Sequence, residues 1–162
     1  MKTDHPVRVA LVDDHALFRN SLAGMIDRMG GYKVVMEAAN GEECMDKMVE
    51  IPEVDLAIVD LHMGVMDVYS TIEWLAKNPP RTRTLALTFE KRESALMRAL
   101  QAGAWGFLLK EVRMEVFKQA LDDVVSRGHY LGGAEQLARL TQGEEKHLLD
   151  SSVLEQFTER EA

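Results

Sequence analysis

Five short apolar runs, each followed by a stretch with helical spacing, constrain this chain more than any other feature of its sequence. Val7 to Val12, Tyr32 to Met36, Leu56 to Val59, Leu85 to Thr88 and Trp105 to Leu109 are the runs. They have the length of strands and are nearly continuous in apolar character, as a strand covered on both faces must be; a strand wetted on one face would alternate. Between them, Phe18, Leu22, Met25, Ile26 and Met29 recur at helical spacing and stop at Gly30-Gly31. Glu42 to Val49 reads as a helix ending before Pro52, and Ser70 to Lys77 as one stopped by Pro79-Pro80. Ser94 to Ala102 ends at Gly103, a natural place for positive φ, and Met114, Phe117, Leu121, Val124 and Val125 mark a last helix that stops at Gly128. Strict alternation of strand and helix is the rhythm of βαβ units, so an α/β fold is predicted: a doubly wound, five-stranded parallel sheet with helices on both faces.

These elements are used up by about residue 128 of 162. Residues 1–130 therefore read as one domain, and residues 131–162 as a charged, polar extension with one or two short helices. At 46% hydrophobic and 28% charged the composition is that of a globular protein. The single cysteine, Cys44, has no partner for an internal disulfide and shares a helical pattern with Met45 and Met48, which makes it a small core residue. There is no signal peptide and no apolar run able to cross a bilayer, so the expected location is cytoplasmic, with no membrane association. A formal charge of -8 disfavours nucleic-acid binding by this chain alone, and the five histidines lack metal-ligand spacing.

In a doubly wound sheet the active groups stand beyond the carboxyl ends of the strands, where strand order reverses. Strand one ends in Asp13-Asp14, strand three in Asp60, strand four in Thr88 and strand five in Lys110. With the order 2-1-3-4-5, strands one and three are neighbours and the three aspartates converge. Crowded carboxylates raise the cost of ionising one another, and a hard divalent cation relieves that cost; magnesium is the natural candidate. Such a site suits phosphoryl transfer to a carboxylate, with Asp60 as nucleophile, Lys110 as a second cation and the Thr88 hydroxyl donating to a phosphoryl oxygen. Singly, these residues have plain structural readings: a helix cap, a turn residue, a surface charge. Three acids, a hydroxyl and a lysine at four strand ends, in that order, make coincidence a poor account.

Leu11-Val12-Asp13-Asp14-His15, Val59-Asp60-Leu61-His62-Met63 and Gly106-Phe107-Leu108-Leu109-Lys110 resemble the motifs of response-regulator receiver domains, across about residues 7 to 128. The wording is similar to the NarL/FixJ subfamily, whose members carry a LuxR-type helix-turn-helix. The resemblance implies a flavodoxin-like fold and a switch in a two-component phosphorelay, catalysing only its own phosphorylation and dephosphorylation. It makes Asp60 the phosphoacceptor, and Asp13, Asp14, Asp60 and the backbone carbonyl of His62 the ligands of Mg2+, with one of the first two acting through water. Thr88 and Phe107 become a switch pair, with Lys110 bound to the phosphoryl group; on its own, Phe107 reads as a core aromatic. The implied partners are a sensor histidine kinase and a second copy of the chain on activation. Phe157-Thr158-Glu159-Arg160-Glu161-Ala162 is similar to the opening of a LuxR-type DNA-binding domain. The expectation is a chain truncated before its output domain, through which alone it would touch DNA to regulate transcription.

Two places depart from the family pattern. Gly64 stands where proline is usual and Val68 where glycine is usual, so that the loop Met63-Gly64-Val65-Met66-Asp67-Val68 is expected to differ in geometry, since valine resists positive φ. Phe89 follows Thr88 at a position that is usually small; its ring is either a gate over the site or packed on Leu96 and its neighbours. These departures keep open the alternative of a pseudo-receiver that signals by protein contacts without phosphorylation. A haloacid-dehalogenase-type phosphohydrolase is disfavoured because His62 stands where its second aspartate belongs. A flavodoxin-like cofactor binder is disfavoured because Asp-Asp-His replaces a hydroxyl- and glycine-rich phosphate loop.

Overall fold

The computed structural model describes residues 5–51, 53–62, 68–77, 82–88, 93–110 and 112–127. Strands β1 (Val7–Val12), β2 (Tyr32–Ala38), β3 (Leu56–Asp60), β4 (Arg83–Thr88) and β5 (Gly106–Leu109) alternate with helices α1 (Ala16–Arg28), α2 (Gly41–Glu50), α3 (Val68–Lys77), α4 (Glu93–Ala102) and α5 (Met114–Arg127). All strand pairs are parallel, in one sheet of order β2-β1-β3-β4-β5. This is the doubly wound, flavodoxin-like architecture expected from the alternation of runs. No helix among the described residues is long and apolar enough to cross a membrane.

The period-two alternation of strand side chains divides the core in two. Val9, Leu11, Leu56, Ile58, Leu85, Leu87 and Leu108 meet Leu22 and Ile26 of α1 and Phe117, Leu121 and Val124 of α5. On the other face Ala10, Val12, Ala57, Val59, Ala86 and Phe107 meet Cys44 and Met48 of α2, Ile72 and Leu75 of α3, and Leu96 and Leu100 of α4. Cys44 is fully buried, and burial pushes its thiol up to about 12, as befits a small core residue.

Several boundaries differ from the expected ones. β2 continues two residues past Met36: pairing with the six residues of β1 carries it to Glu37, and a one-residue register shift between Val9 and Ala10 adds another, so that Ala38 faces Val12. β4 begins at Arg83, whose backbone pairs with Leu56, and Trp105 precedes β5 instead of opening it. Val68 is the first residue of α3 and is buried, so it occupies a helical position in which valine is unstrained; none of the described non-glycine residues has positive φ. Gly64 and Val65 lie outside the described residues, as do Phe89 and residues 128–162. Gly103 does take positive φ, at 126°, and a Cβ there would stand 2.8 Å from the Ala76 Cβ. The end of α5 is held from the sheet: Arg83 donates through Nη1 to the carbonyls of Val124 and Val125 while its guanidinium lies 5.3 Å from the Trp105 ring.

Candidate functional site: an acidic pocket at the carboxyl edge of the sheet

Strand parity assembles the pocket. Leu11, Ile58 and Leu108 point to the α1/α5 side, and two residues further on their chains deliver Asp13, Asp60 and Lys110. The register of β1 on β3 ends with Val12 opposite Val59, so the next step sets Asp13 beside Asp60. One oxygen each of Asp13, Asp14 and Asp60 lie within 4.8 Å of one another; Asp13 and Asp60 are buried and Asp14 is exposed. Neither Asp13 nor Asp14 is the N-cap of α1, a position taken by His15 without a side-chain cap bond.

Lys110 joins the two buried acids. Its Nζ stands 3.3 Å from Asp13 Oδ2 and 3.2 Å from Asp60 Oδ2, with its side chain only 3% exposed. The remaining oxygens are also engaged, Asp13 Oδ1 accepting from the His15 amide at 2.8 Å and Asp60 Oδ1 from the His62 amide at 3.0 Å. Even so, burial and, more weakly, the Asp13 charge hold the Asp60 carboxyl up at about 6, against the opposing pull of the His62 amide and Lys110. A carboxyl held above its ordinary range by burial, with a second acid and an ammonium beside it, marks a candidate functional site. Three hard carboxylate donors within reach of one point could hold a small, hard divalent ion.

Thr88 is fully buried at the end of β4, where its carbonyl accepts from the Lys110 amide at 2.8 Å and its neighbour Leu87 pairs with Asp60. Phe107, 2% exposed, pairs in register with Ala86 and so projects to the same side of the sheet as Thr88, into the α4 core. His62 is exposed, and its amide is the group that meets Asp60. The structure thus brings Asp13, Asp14, Asp60 and Lys110 into one cluster, with Thr88 on the adjoining strand end; Phe89 lies outside the described residues.

A profile of the response regulator receiver domain matches residues 9–122. The chain belongs to that family. Over 121 residues the receiver is 31% identical to the nitrate/nitrite response regulator protein NarL of Escherichia coli strain K12, an alignment covering 75% of this chain and 56% of NarL. It therefore spans about half the length of that relative. Among solved structures it is similar to a LuxR-family two-component response regulator from Aurantimonas sp. SI85-9A1, with TM-score 0.74 and 25% identity over 84% of this chain and 98% of that one. It is also similar to a chain in the structure of the CheA3 P1 domain in complex with CheY6 from R. sphaeroides, with TM-score 0.61 and 31% identity over 72% and 95% of the two chains.

Two residues of this receiver's pocket escaped the sequence reading. Phe18 of α1 places its ring 4.5 Å from Lys110 Nζ, so the ammonium meets an aromatic face as well as two carboxylates. Arg19, the next residue, donates from Nη1 to the Asp13 carbonyl at 2.5 Å and from Nε to Glu37 of β2 at 3.0 Å. The one signal for Arg19 in the sequence is a cation in the first turn of the helix that follows the acid pair.

Proposed function

We propose that this receiver accepts a phosphoryl group on Asp60, with Mg2+ held by Asp13, Asp14 and Asp60 and the carbonyl of His62, and passes the change to a transcription-regulating output domain. The observation that carries this reading is the Asp60 carboxylate at the end of β3, 3.2 Å from a buried ammonium and within reach of two further carboxylates. Bound magnesium would neutralise charge on the phosphoryl oxygens and on the acid cluster. A carboxylate oxygen of Asp60 attacks the phosphorus, the bond to the donor's leaving group breaks, and an aspartyl phosphate results. Lys110 already spans Asp13 and Asp60, so a small movement suffices for its ammonium to pair with a phosphoryl oxygen. The Thr88 hydroxyl donates to another. Its movement toward the phosphoryl group alters the packing that Phe107 shares on that side of the sheet, with consequences for α4, β5 and α5. A phosphorylated histidine of a sensor kinase is the donor this reading expects, in keeping with the complex of CheY6 with a CheA3 domain. On this reading the receiver works as a switch in the cytoplasm, residues 1–130 forming its domain and 131–162 leading toward the output domain, with dimerisation on activation.

Incubation with magnesium and acetyl phosphate, followed by intact-mass measurement, tests the reading. One phosphoryl increment is expected in the parent and none in Asp60→Asn. An increment that survives the substitution would show that the acceptor lies elsewhere.

A further inference from the structure

Asp13 is tied at every polar group. Its amide donates to the Ala38 carbonyl at 3.0 Å, its Oδ1 accepts from the His15 amide and its Oδ2 meets Lys110. Its carbonyl receives Nη1 of Arg19. That carbonyl belongs to the planar peptide joining Asp13 to Asp14, so fixing it fixes the rotation about the Cα–C bond of Asp13 and, with it, the direction in which Asp14 leaves the strand. Arg19 is itself held. Its Nε forms a 3.0 Å ion pair with Glu37, its side chain is 17% exposed, and the Glu37 carbonyl is held in turn by Lys47 Nζ at 2.7 Å. The bracket thus runs from α2 through the end of β2 and the first turn of α1 to the peptide between two carboxylates of the acidic cluster.

We infer that Arg19 is a positioning residue for the magnesium site: its guanidinium, oriented by Glu37, clamps the Asp13 carbonyl and so sets the Asp13 and Asp14 carboxylates at the spacing a small cation requires. The inference rests on the metal reading given above. A magnesium ion tolerates little departure from octahedral geometry, so groups that orient its ligands govern affinity. Arginine suits the task because its planar fork serves two partners at fixed angles, which a lysine ammonium does not.

The sign of the effect separates positioning from plain electrostatics. Arg19 is a cation near a cation site, so if its charge alone mattered, its removal would tighten magnesium binding. If it positions the aspartates, removal must weaken binding despite the charge gained, by about tenfold on the scale of other ligand-orienting groups. The test is calorimetric titration of the whole chain with magnesium alone, for the parent, Arg19→Met and Arg19→Lys, with thermal melts confirming that each is folded. The expected order of affinity is parent, then Arg19→Lys, then Arg19→Met. Binding in Arg19→Met as tight as in the parent, or tighter, overturns the inference. Undiminished binding in Arg19→Lys, which keeps the charge and loses the fork, also overturns it and serves as the test if the methionine variant does not fold. A parent that binds no magnesium would instead remove the metal reading itself, and the inference with it.

Discussion

Asp60 stores a cost in the metal-free protein, and replacing its carboxylate should release it. The carboxyl is held at about 6 in the folded chain against an ordinary value of 3.8, with burial the first cause and the Asp13 charge adding to it. Two units at about 1.4 kcal/mol each give a ceiling of about 3 kcal/mol by which ionised Asp60 destabilises the fold at neutral pH. Asn keeps the shape and can accept from the His62 amide, while Lys110 retains Asp13 as a partner. The expected gain for Asp60→Asn in the presence of a chelator is therefore about 1–3 kcal/mol, or roughly 3–10 °C in Tm. Because the folded value is the raised one, the folded state takes up a proton that the unfolded chain does not. The penalty is complete above about pH 6 and fades as the pH falls toward about 4, where Asp60 is neutral in both states. Thermal melts of parent and variant across that range measure the gap directly. A variant no more stable than the parent at neutral pH, or a gap that persists undiminished at the acid end, would refute the reasoning. Magnesium should then close the gap from the other side, stabilising the parent more than the variant.

The neighbouring groups yield further expectations. Lys110→Met leaves two buried carboxylates facing each other and should cost about 3 kcal/mol in the metal-free protein at neutral pH, read by urea unfolding; a neutral effect would mean that the ion pairs contribute nothing. Gly103→Ala combines a φ of 126° with a Cβ placed 2.8 Å from Ala76, and a loss of about 2 kcal/mol or more is expected in the same assay. Arg83→Ala frees two carbonyls at the end of α5 and removes the contact with Trp105. It should cost about 1–2 kcal/mol and speed amide exchange in the last turn of α5; exchange unchanged there would count against the cap.

The residues that were legible in the sequence are those whose placement follows from strand parity alone. Asp13, Asp60 and Lys110 each stand two residues beyond an apolar residue of the α1/α5 face, and parallel neighbours in register then bring them together with no further information. Helical spacing and its stop signals did the same for the burial of Cys44 and the positive φ of Gly103. Its limits show where a tertiary relation intervenes. The charged Glu37 ends the apolar run at Met36, whereas pairing with all six residues of β1 carries β2 to Glu37 and the shift between Val9 and Ala10 adds one residue more, so the strand ends two residues beyond the run. That end carries Glu37, the residue that holds Arg19. A reading that stops β2 at Met36 leaves Glu37 in a connection and gives Arg19 no counter-ion, so the clamp on Asp13 could not be inferred. Phe18 belongs to the apolar stripe of α1, as its spacing predicts. Its contact with Lys110 depends on how closely the first turn of α1 approaches the end of β5, a distance between elements far apart in the chain. The groups to which the proposed chemistry is assigned sit on strand ends, where a period of two locates them. Groups that orient that chemistry sit on the helix crossing above, where only the packed structure does.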